Sequence, residues 1–186
     1  LFAVSLINEN YLFAQFQQYK ELLPLYDTLF RREAAARGLS WKSETERTNL
    51  FARFILERQV SGYEALKAHV RGLGLTCALT DVNYRNNFSL ARVRERLDYI
   101  DTHTYFDLPH RYHGTRNRVP YQVRGRDQLE LSNLAIPLEH APSRQFGKPF
   151  MVTEFNFVYP NRYRGEGGVL MGALGAFQGW AGMFRY

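Results

Sequence analysis

The sequence contains little cysteine: Cys77 is the single one among 186 residues. One cysteine cannot form an intrachain disulfide, and it supplies neither a zinc framework nor a redox pair. Its position in the run LTCALT indicates a small, buried apolar side chain. Because 45% of the residues are hydrophobic, we expect a single domain over residues 1–186, held together by its own core.

Long apolar runs are also missing from the sequence. No stretch reaches the roughly 20 consecutive apolar residues that cross a bilayer. The most apolar segment, 167–184, is interrupted by glycines and by Gln178. Since Leu1 already lies in an apparent strand, without a basic region or a cleavage site, no signal peptide can be read and we expect the true N-terminus to lie upstream. We expect no membrane span.

Acidic residues are in the minority, which leaves a formal net charge of +6. An excess of basic residues is one signature of nucleic-acid binding. In the segments 31–37 and 92–96, however, acidic residues are interleaved with the arginines, which is typical of a solvated helix face. No nucleic-acid-binding motif accompanies the charge, so we expect no nucleic-acid partner.

Short apolar runs alternate with helix-like segments along the whole chain. The runs at 1–7, 75–79, 99–105, 150–155 and 180–184 predict strands, and the segments between them predict helices. One helix has a clear start, because Ser43 and Glu46 form an S-x-x-E capping box. The order βαβαβαβαβ predicts a parallel sheet with right-handed crossovers, either doubly wound or closed into a (β/α)8 barrel.

Ionisable residues stand at the ends of two of these apolar runs. Asn8 and Glu9 follow the first run, and Glu154 ends the run KPFMVTE. Parallel α/β sheets bind their ligands at the carboxyl ends of the strands, so both glutamates lie where a site is expected. Taken alone, Glu9 is more typical of a carboxylate that is stabilised by the dipole at a helix N-terminus. Together the two glutamates suggest carboxylate chemistry on a sugar.

A third polar group lies on the strand predicted at 99–105. Asp101, His103 and Tyr105 are spaced by two, so their side chains share one face of that strand. The alternative is that His103 and Tyr105 are satisfied by each other and by nearby backbone in the core. A metal site at His103, His110 and His113 fits no compact ligand spacing, so we expect no metal.

In this order the residues resemble clan A of the retaining glycoside hydrolases, which are (β/α)8 barrels and include the cellulase-like family 5. Asn8-Glu9 match the Asn-Glu at strand four, and His103-x-Tyr105 match the His-x-Tyr at strand six. Glu154 matches the nucleophile at strand seven, and Trp180 matches the Trp at strand eight. The resemblance implies the C-terminal portion of a TIM barrel, with strands four to eight. Strands one to three would then belong to the remainder of its own catalytic domain.

The resemblance also implies an activity and a role for each residue. Glu9 would be the acid/base and Glu154 the nucleophile of a retaining double displacement, an assignment that the residues alone leave open. Tyr105 would donate a hydrogen bond to Glu154, and His103 would orient its neighbours. Asn8 would bind the sugar 2-hydroxyl and Trp180 a sugar face, although simple packing competes for Trp180. Retention requires the two carboxyl groups about 5–5.5 Å apart, and the reaction needs no cofactor.

The implied substrate is a poly- or oligosaccharide, and an anionic one is compatible with the arginines predicted to lie in loops. Arginines beside aromatic rings bind acidic groups while the rings stack on sugars, although solvated arginines are a common alternative. The residues concerned are Arg111, Arg116, Arg118, Arg124, Arg126, Arg162 and Arg164, interleaved with Tyr112 and Tyr121. The alternative function is a non-catalytic carbohydrate-binding barrel, against which the presence of both glutamates argues.

Overall fold

The structure, a computed structural model, describes residues 2–84, 88–111, 121–123, 125–128 and 135–186. The chain forms two compact units, Leu1–Asp81 and Val82–Tyr186. Both units combine helices with parallel strands, so the predicted mixed α/β class is confirmed. Within the described residues, no helix is both long enough and apolar enough to cross a membrane.

The first unit is a strand, three helices and a second strand. These are β1 (Ala3–Ser5), α1 (Leu12–Gln18), α2 (Leu22–Ala36), α3 (Glu44–Gly72) and β2 (Ala78–Thr80). The two strands pair in parallel, with Val4 opposite Leu79. The chain leaves the helical conformation between α1 and α2, and Pro24 lies in the first turn of α2, where a missing N–H leaves no hydrogen bond unmade.

The capping box predicted at Ser43 begins α3. The Ser43 hydroxyl accepts a hydrogen bond from the backbone N–H of Glu46 at 3.1 Å. The Glu46 carboxylate reaches back and accepts from the N–H of Lys42 at 2.7 Å. Two N–H groups at the helix start are thereby satisfied. The helix ends at Gly72, and Gly74 turns the chain with φ of 89°.

The second unit contains a three-stranded parallel sheet and a small antiparallel hairpin. The sheet has the order β3-β6-β7, and the hairpin β4-β5, which the sequence pattern did not predict, lies apart from it. The strands are β3 (Ile100–Phe106), β4 (His110–Arg111), β5 (Tyr121–Gln122), β6 (Phe150–Phe157) and β7 (Gly182–Arg185). The helices are α4 (Ala91–Arg94), α5 (Ala135–His140) and α6 (Glu166–Gln178), with 3-10 turns at Phe88–Leu90 and Ala141–Ser143.

The central strand β6 contains one extra residue compared with both of its neighbours. Val152 and Phe155, three residues apart, pair with Thr102 and Thr104 of β3, which are only two apart. On the other side, the same two residues of β6 pair with Met183 and Arg185 of β7, again two apart. The extra residue lies at Thr153–Glu154 and forms a β-bulge.

The bulge keeps the hydrophobic core of the second unit continuous. Phe150 and Val152 before the bulge face the same core as Phe155 and Phe157 after it. In an unbroken strand, alternation would turn one of these two pairs away from the core, because side chains point to opposite faces with a period of two. Helix α6 covers this core through Met171.

Helix α6 approaches β6 closely because its contact face carries glycine. Gly167, Met171 and Gly175 are buried at a spacing of four, which places them on one side of the helix. A Cβ atom at Gly167 would lie 2.6 Å from the ring of Phe157, which is itself buried. The neighbouring Gly168 is exposed, and a Cβ there would contact nothing within 4 Å.

We expect Gly167→Ala to destabilise the second unit by about 1–3 kcal/mol, because the added methyl group overpacks a core that cannot yield. Gly168→Ala is the matched control. It should leave the free energy of unfolding unchanged or raise it by up to about 1 kcal/mol, the helix-propensity difference between the two residues. Urea unfolding of both variants measures this. Equal stability of the two would contradict the close packing of α6 on β6.

Candidate active site

Glu154 lies near the carboxyl end of β6, and two side chains of β3 converge on it. The Tyr105 hydroxyl donates a hydrogen bond to Glu154 Oε2 at 2.8 Å. His103 Nδ1 lies 3.5 Å from the same oxygen. The hydrogen bond from Tyr105 to Glu154 that the sequence predicted is therefore present.

The two side chains His103 and Glu154 differ in their burial. The His103 side chain is 4% exposed, whereas that of Glu154 is 24% exposed. The supporting residue is therefore enclosed, while the carboxylate keeps access to solvent and to a ligand. A hydrogen bond from a hydroxyl to a carboxylate is strong and directional, so it fixes the orientation of Glu154.

Asp101 completes the polar face of β3, as its spacing from His103 and Tyr105 predicted. It is fully buried. Its Oδ2 accepts hydrogen bonds from Thr153 Oγ1 at 2.9 Å and from Asn83 Nδ2 at 3.1 Å. The carbonyl of Asn83 in turn accepts from the backbone N–H of His103 at 3.0 Å. A buried carboxylate needs such donors, because an unpartnered one is costly to desolvate.

Asn8 and Glu9 belong to the first unit, in the loop that follows β1. Asn8 is exposed and Glu9 half-buried. The next residue, Asn10, donates a hydrogen bond to Asp81 Oδ2 at 2.6 Å and so ties this loop to the carboxyl end of β2. Leu12, the first residue of α1, donates its N–H to Gln59 Oε1 at 2.8 Å, so Gln59 satisfies this helix start. The separation of Glu9 and Glu154 stays a prediction.

Glu9 has a backbone conformation that is uncommon for its residue type. Its φ is 52°, in the left-handed region that favours glycine. Such conformations are costly in non-glycine residues, and they cluster at functional sites. This observation distinguishes Glu9 from an ordinary carboxylate before a helix.

The structure does not bring Trp180 to the group around Glu154. The predicted strand 180–184 begins only at Gly182, and Gly179, with φ of 63°, ends α6 just before Trp180. The indole ring packs against Phe150, with the ring centres 5.4 Å apart. Phe150 is the first residue of β6, so Trp180 lies at the amino end of the sheet. The packing alternative is the one observed.

Two buried residues that the sequence reasoning missed connect the loops at the carboxyl ends of β3 and β6. Asp107 directly follows β3, and its Oδ2 accepts hydrogen bonds from the N–H of Gly125 and from Asn161 Nδ2, both at 2.9 Å. Asn161, in the loop after β6, also donates to the carbonyl of Arg126 at 3.0 Å. A signal was present in the sequence, since Asp and Asn after apolar runs are typical of loops with buried polar contacts.

The predicted arginine-rich loops are only partly described. Arg162 lies over the ring of Tyr163 at 4.6 Å, and Arg164 over the ring of Tyr159 at 5.1 Å. Both arginines are exposed, on the loop that follows β6. Arg126 lies over the ring of Phe106 at 5.5 Å, and its Nε is 3.9 Å from Asp107 Oδ1. The other predicted residues fall outside the described part of the chain, namely Arg116, Arg118, Arg124, Tyr112 and His113 and the side chains of His110, Arg111 and Tyr121.

Comparison with known proteins adds no family to these observations. No protein-family model, no curated protein and no solved structure matches this chain significantly. The function of the chain must therefore be inferred from its own residues.

A buried histidine of α5 packs against the opposite face of β3, and the sequence did not single it out. His140, at the end of α5, is fully buried, and its Nδ1 lies 2.8 Å from Thr102 Oγ1. Burial disfavours the charged imidazolium and lowers the pKa of His140 from 6.5 to about 4. Its ring packs against the rings of Phe150 and Trp180, on the side of the sheet away from Glu154.

The buried His140 should make the second unit less stable as the pH falls from 6.5 to about 4. In that window the unfolded chain binds a proton that the folded chain does not, so the free energy of unfolding falls, by roughly 3 kcal/mol in all. Above pH 6.5 both states are neutral and the effect vanishes. Urea unfolding followed by Trp180 fluorescence, in a Trp41→Phe background, measures this slope.

His140→Gln should flatten the slope, because the titrating group is gone. His69→Gln, the same change at an exposed histidine of α3, should leave it unchanged. An unaltered slope in His140→Gln would show that the acid sensitivity has another source.

Proposed function

We propose that this protein is a retaining O-glycoside hydrolase that cleaves a poly- or oligosaccharide, with Glu154 as nucleophile and Glu9 as acid/base. The observation that carries the proposal is the convergence of Tyr105 and His103 on one oxygen of Glu154, near the carboxyl end of a parallel strand. This is the position where barrel enzymes place catalytic side chains. The order of Asn8-Glu9, His103-x-Tyr105 and Glu154 along the chain supports the same activity.

The fold that we propose is the C-terminal portion of a (β/α)8 barrel, with β1, β2, β3, β6 and β7 as strands four to eight. Two features support a barrel over a doubly wound sheet. Each parallel pair joins strands that are consecutive along the chain, apart from the hairpin. The sheet order β3-β6-β7 also continues in one direction, whereas a doubly wound sheet reverses its order at a switch point.

The proposed mechanism assigns one task to each residue. Glu154 attacks the anomeric carbon and forms a glycosyl ester, while Glu9 gives its proton to the departing glycosidic oxygen. Glu9 then takes a proton from water, which attacks the anomeric carbon and releases Glu154. Tyr105 holds the carboxylate of Glu154 in position, His103 orients its neighbours and Asn8 binds the sugar 2-hydroxyl. The steps balance without a cofactor.

We propose a carbohydrate as the substrate. The exposed Arg162 and Arg164 are compatible with an anionic carbohydrate. Each of these arginines is stacked on a tyrosine, which holds its charged group in place on the loop after β6. We assign Trp180 no role in sugar binding, because it packs at the opposite end of the sheet. We propose no nucleic-acid partner.

Glu154→Gln should abolish turnover, because an amide cannot form the glycosyl ester while its shape preserves the fold. The measurement is release of reducing ends and of nitrophenol across panels of neutral and anionic glycans and aryl glycosides. Glu139→Gln is the matched control, since Glu139 is exposed on α5 and faces away from the site. Its activity should equal that of the wild type.

Two further results of that screen would decide against the proposal. If the wild-type protein binds glycans but releases no reducing ends, it is a non-catalytic carbohydrate-binding barrel. If proton NMR of the first product shows the inverted anomer, Glu154 acts as a base and not as a nucleophile.

Glu9→Ala should lose activity on substrates with poor leaving groups but keep the first step on dinitrophenyl glycosides, seen as a rapid burst of one equivalent of dinitrophenol before slow turnover. The reason is that a dinitrophenolate departs without a proton, so the acid is dispensable for that step. The control is Glu64→Ala, the same change at an exposed residue of α3 in the same unit. Absence of this burst in Glu9→Ala, when the wild-type protein turns over the same substrate, would contradict the role of Glu9 as the acid.

A further inference from the structure

The bulge in β6 places two consecutive side chains on the same face of the sheet. Thr153 contacts Asp101 of β3, and Glu154 contacts Tyr105 of the same strand. Asp101 and Tyr105 share one face of β3, since they are four residues apart. In a regular strand consecutive side chains point to opposite faces, so only the extra residue allows both contacts.

The position of Glu154 therefore depends on the bulge. Thr102 pairs with Val152, so continuation of the regular register would place Thr153 opposite His103. Glu154 would then follow on the other face, the one that Val152 shares with the hydrophobic core. With the bulge, Glu154 stands opposite His103 instead. A shift of one residue thus decides whether the carboxylate faces the site or the core.

The side chain of Thr153 ties the first residue of the bulge to β3. Thr153 Oγ1 donates to Asp101 Oδ2 at 2.9 Å, and the same oxygen accepts from Asn83 Nδ2. Since the carbonyl of Asn83 holds the backbone of His103, Asp101 joins the bulge residue to the strand segment that carries His103. Asp101 is fully buried, so this arrangement is shielded from competing water.

We propose that Thr153 and Asp101 are positioning residues, which lock the bulge of β6 and thereby aim Glu154 at Tyr105 and His103. This inference rests on the proposed function, because Glu154, the residue being positioned, is the nucleophile of the proposed reaction. Neither residue touches the substrate. Both act through the backbone register of β6.

Thr153→Val tests the inference by replacing the hydroxyl with a methyl group of similar size. We expect kcat to fall about 100-fold, the usual effect of a misplaced reactive group, with KM changed less than about twofold. Thr153→Ser keeps the hydroxyl and should restore kcat to near the wild-type value. A crystal structure of Thr153→Val should show the backbone displaced at Glu154 and the hydrogen bond from Tyr105 lost.

The matched control is Thr104→Val on β3. The Thr104 hydroxyl also donates to a carboxylate, that of Glu139 at 2.8 Å, but on the helix-covered face of the sheet. Loss of this second hydrogen bond should leave kcat unchanged. If Thr153→Val fails to fold, as judged by circular dichroism, Thr153→Ala replaces it, because the smaller side chain requires no space for an added methyl group.

Three results would overturn the inference. The first is wild-type kcat in Thr153→Val or Thr153→Ala, and the second is an equal loss of kcat in Thr153→Ser. The third is a variant structure in which Glu154 still accepts the hydrogen bond from Tyr105. This structural result decides the matter even if the wild-type protein cleaves no glycoside, in which case the proposed function fails separately.

Discussion

The second unit depends on the constraint that β6 must serve a hydrophobic core and a polar site at once. The strand lies between β3 and β7, so both its edges are paired and its register is fixed from two sides. The core requires Phe150, Val152, Phe155 and Phe157 on one face. The site requires Glu154 on the other, and one extra residue satisfies both requirements.

Hydrogen bonds between side chains join the loops at the carboxyl ends of the strands. In the second unit, Asp107 and Asn161 join the loops after β3 and β6. In the first unit, Asn10 and Asp81 do the same for β1 and β2. In both cases a buried carboxylate accepts a hydrogen bond from an asparagine side chain. Buried polar groups require such partners. Loops held in this way can support a site with defined geometry.

The sequence predicted those features that depend on local chemistry. The start of α3 followed from Ser43 and Glu46, and the shared face of Asp101, His103 and Tyr105 followed from their spacing. Trp180 was misplaced because the strand boundary depends on where Gly179 ends α6, which the apolar pattern does not reveal. The bulge was missed, although its signal is visible: apolar residues at 150, 152, 155 and 157 change phase between 152 and 155. The strands β4 and β5 are two residues long, too short to show an alternation of apolar and polar residues.

The backbone angles at Glu9 and Asp107 each carry a cost in stability that is accepted together with a carboxylate. These are the two non-glycine residues with positive φ in the part of the chain that the structure describes, and each follows a strand that carries the proposed site. A left-handed conformation costs an L-residue roughly 1–2 kcal/mol relative to the right-handed one, a penalty that glycine avoids. At Glu9, glycine would give the less strained backbone but would remove the carboxylate that the proposed reaction requires. At Asp107 the carboxylate itself accepts two hydrogen bonds, so the strain there is offset within the fold. The function proposed for Glu9 therefore has a cost in stability that a purely structural residue at this position would not carry.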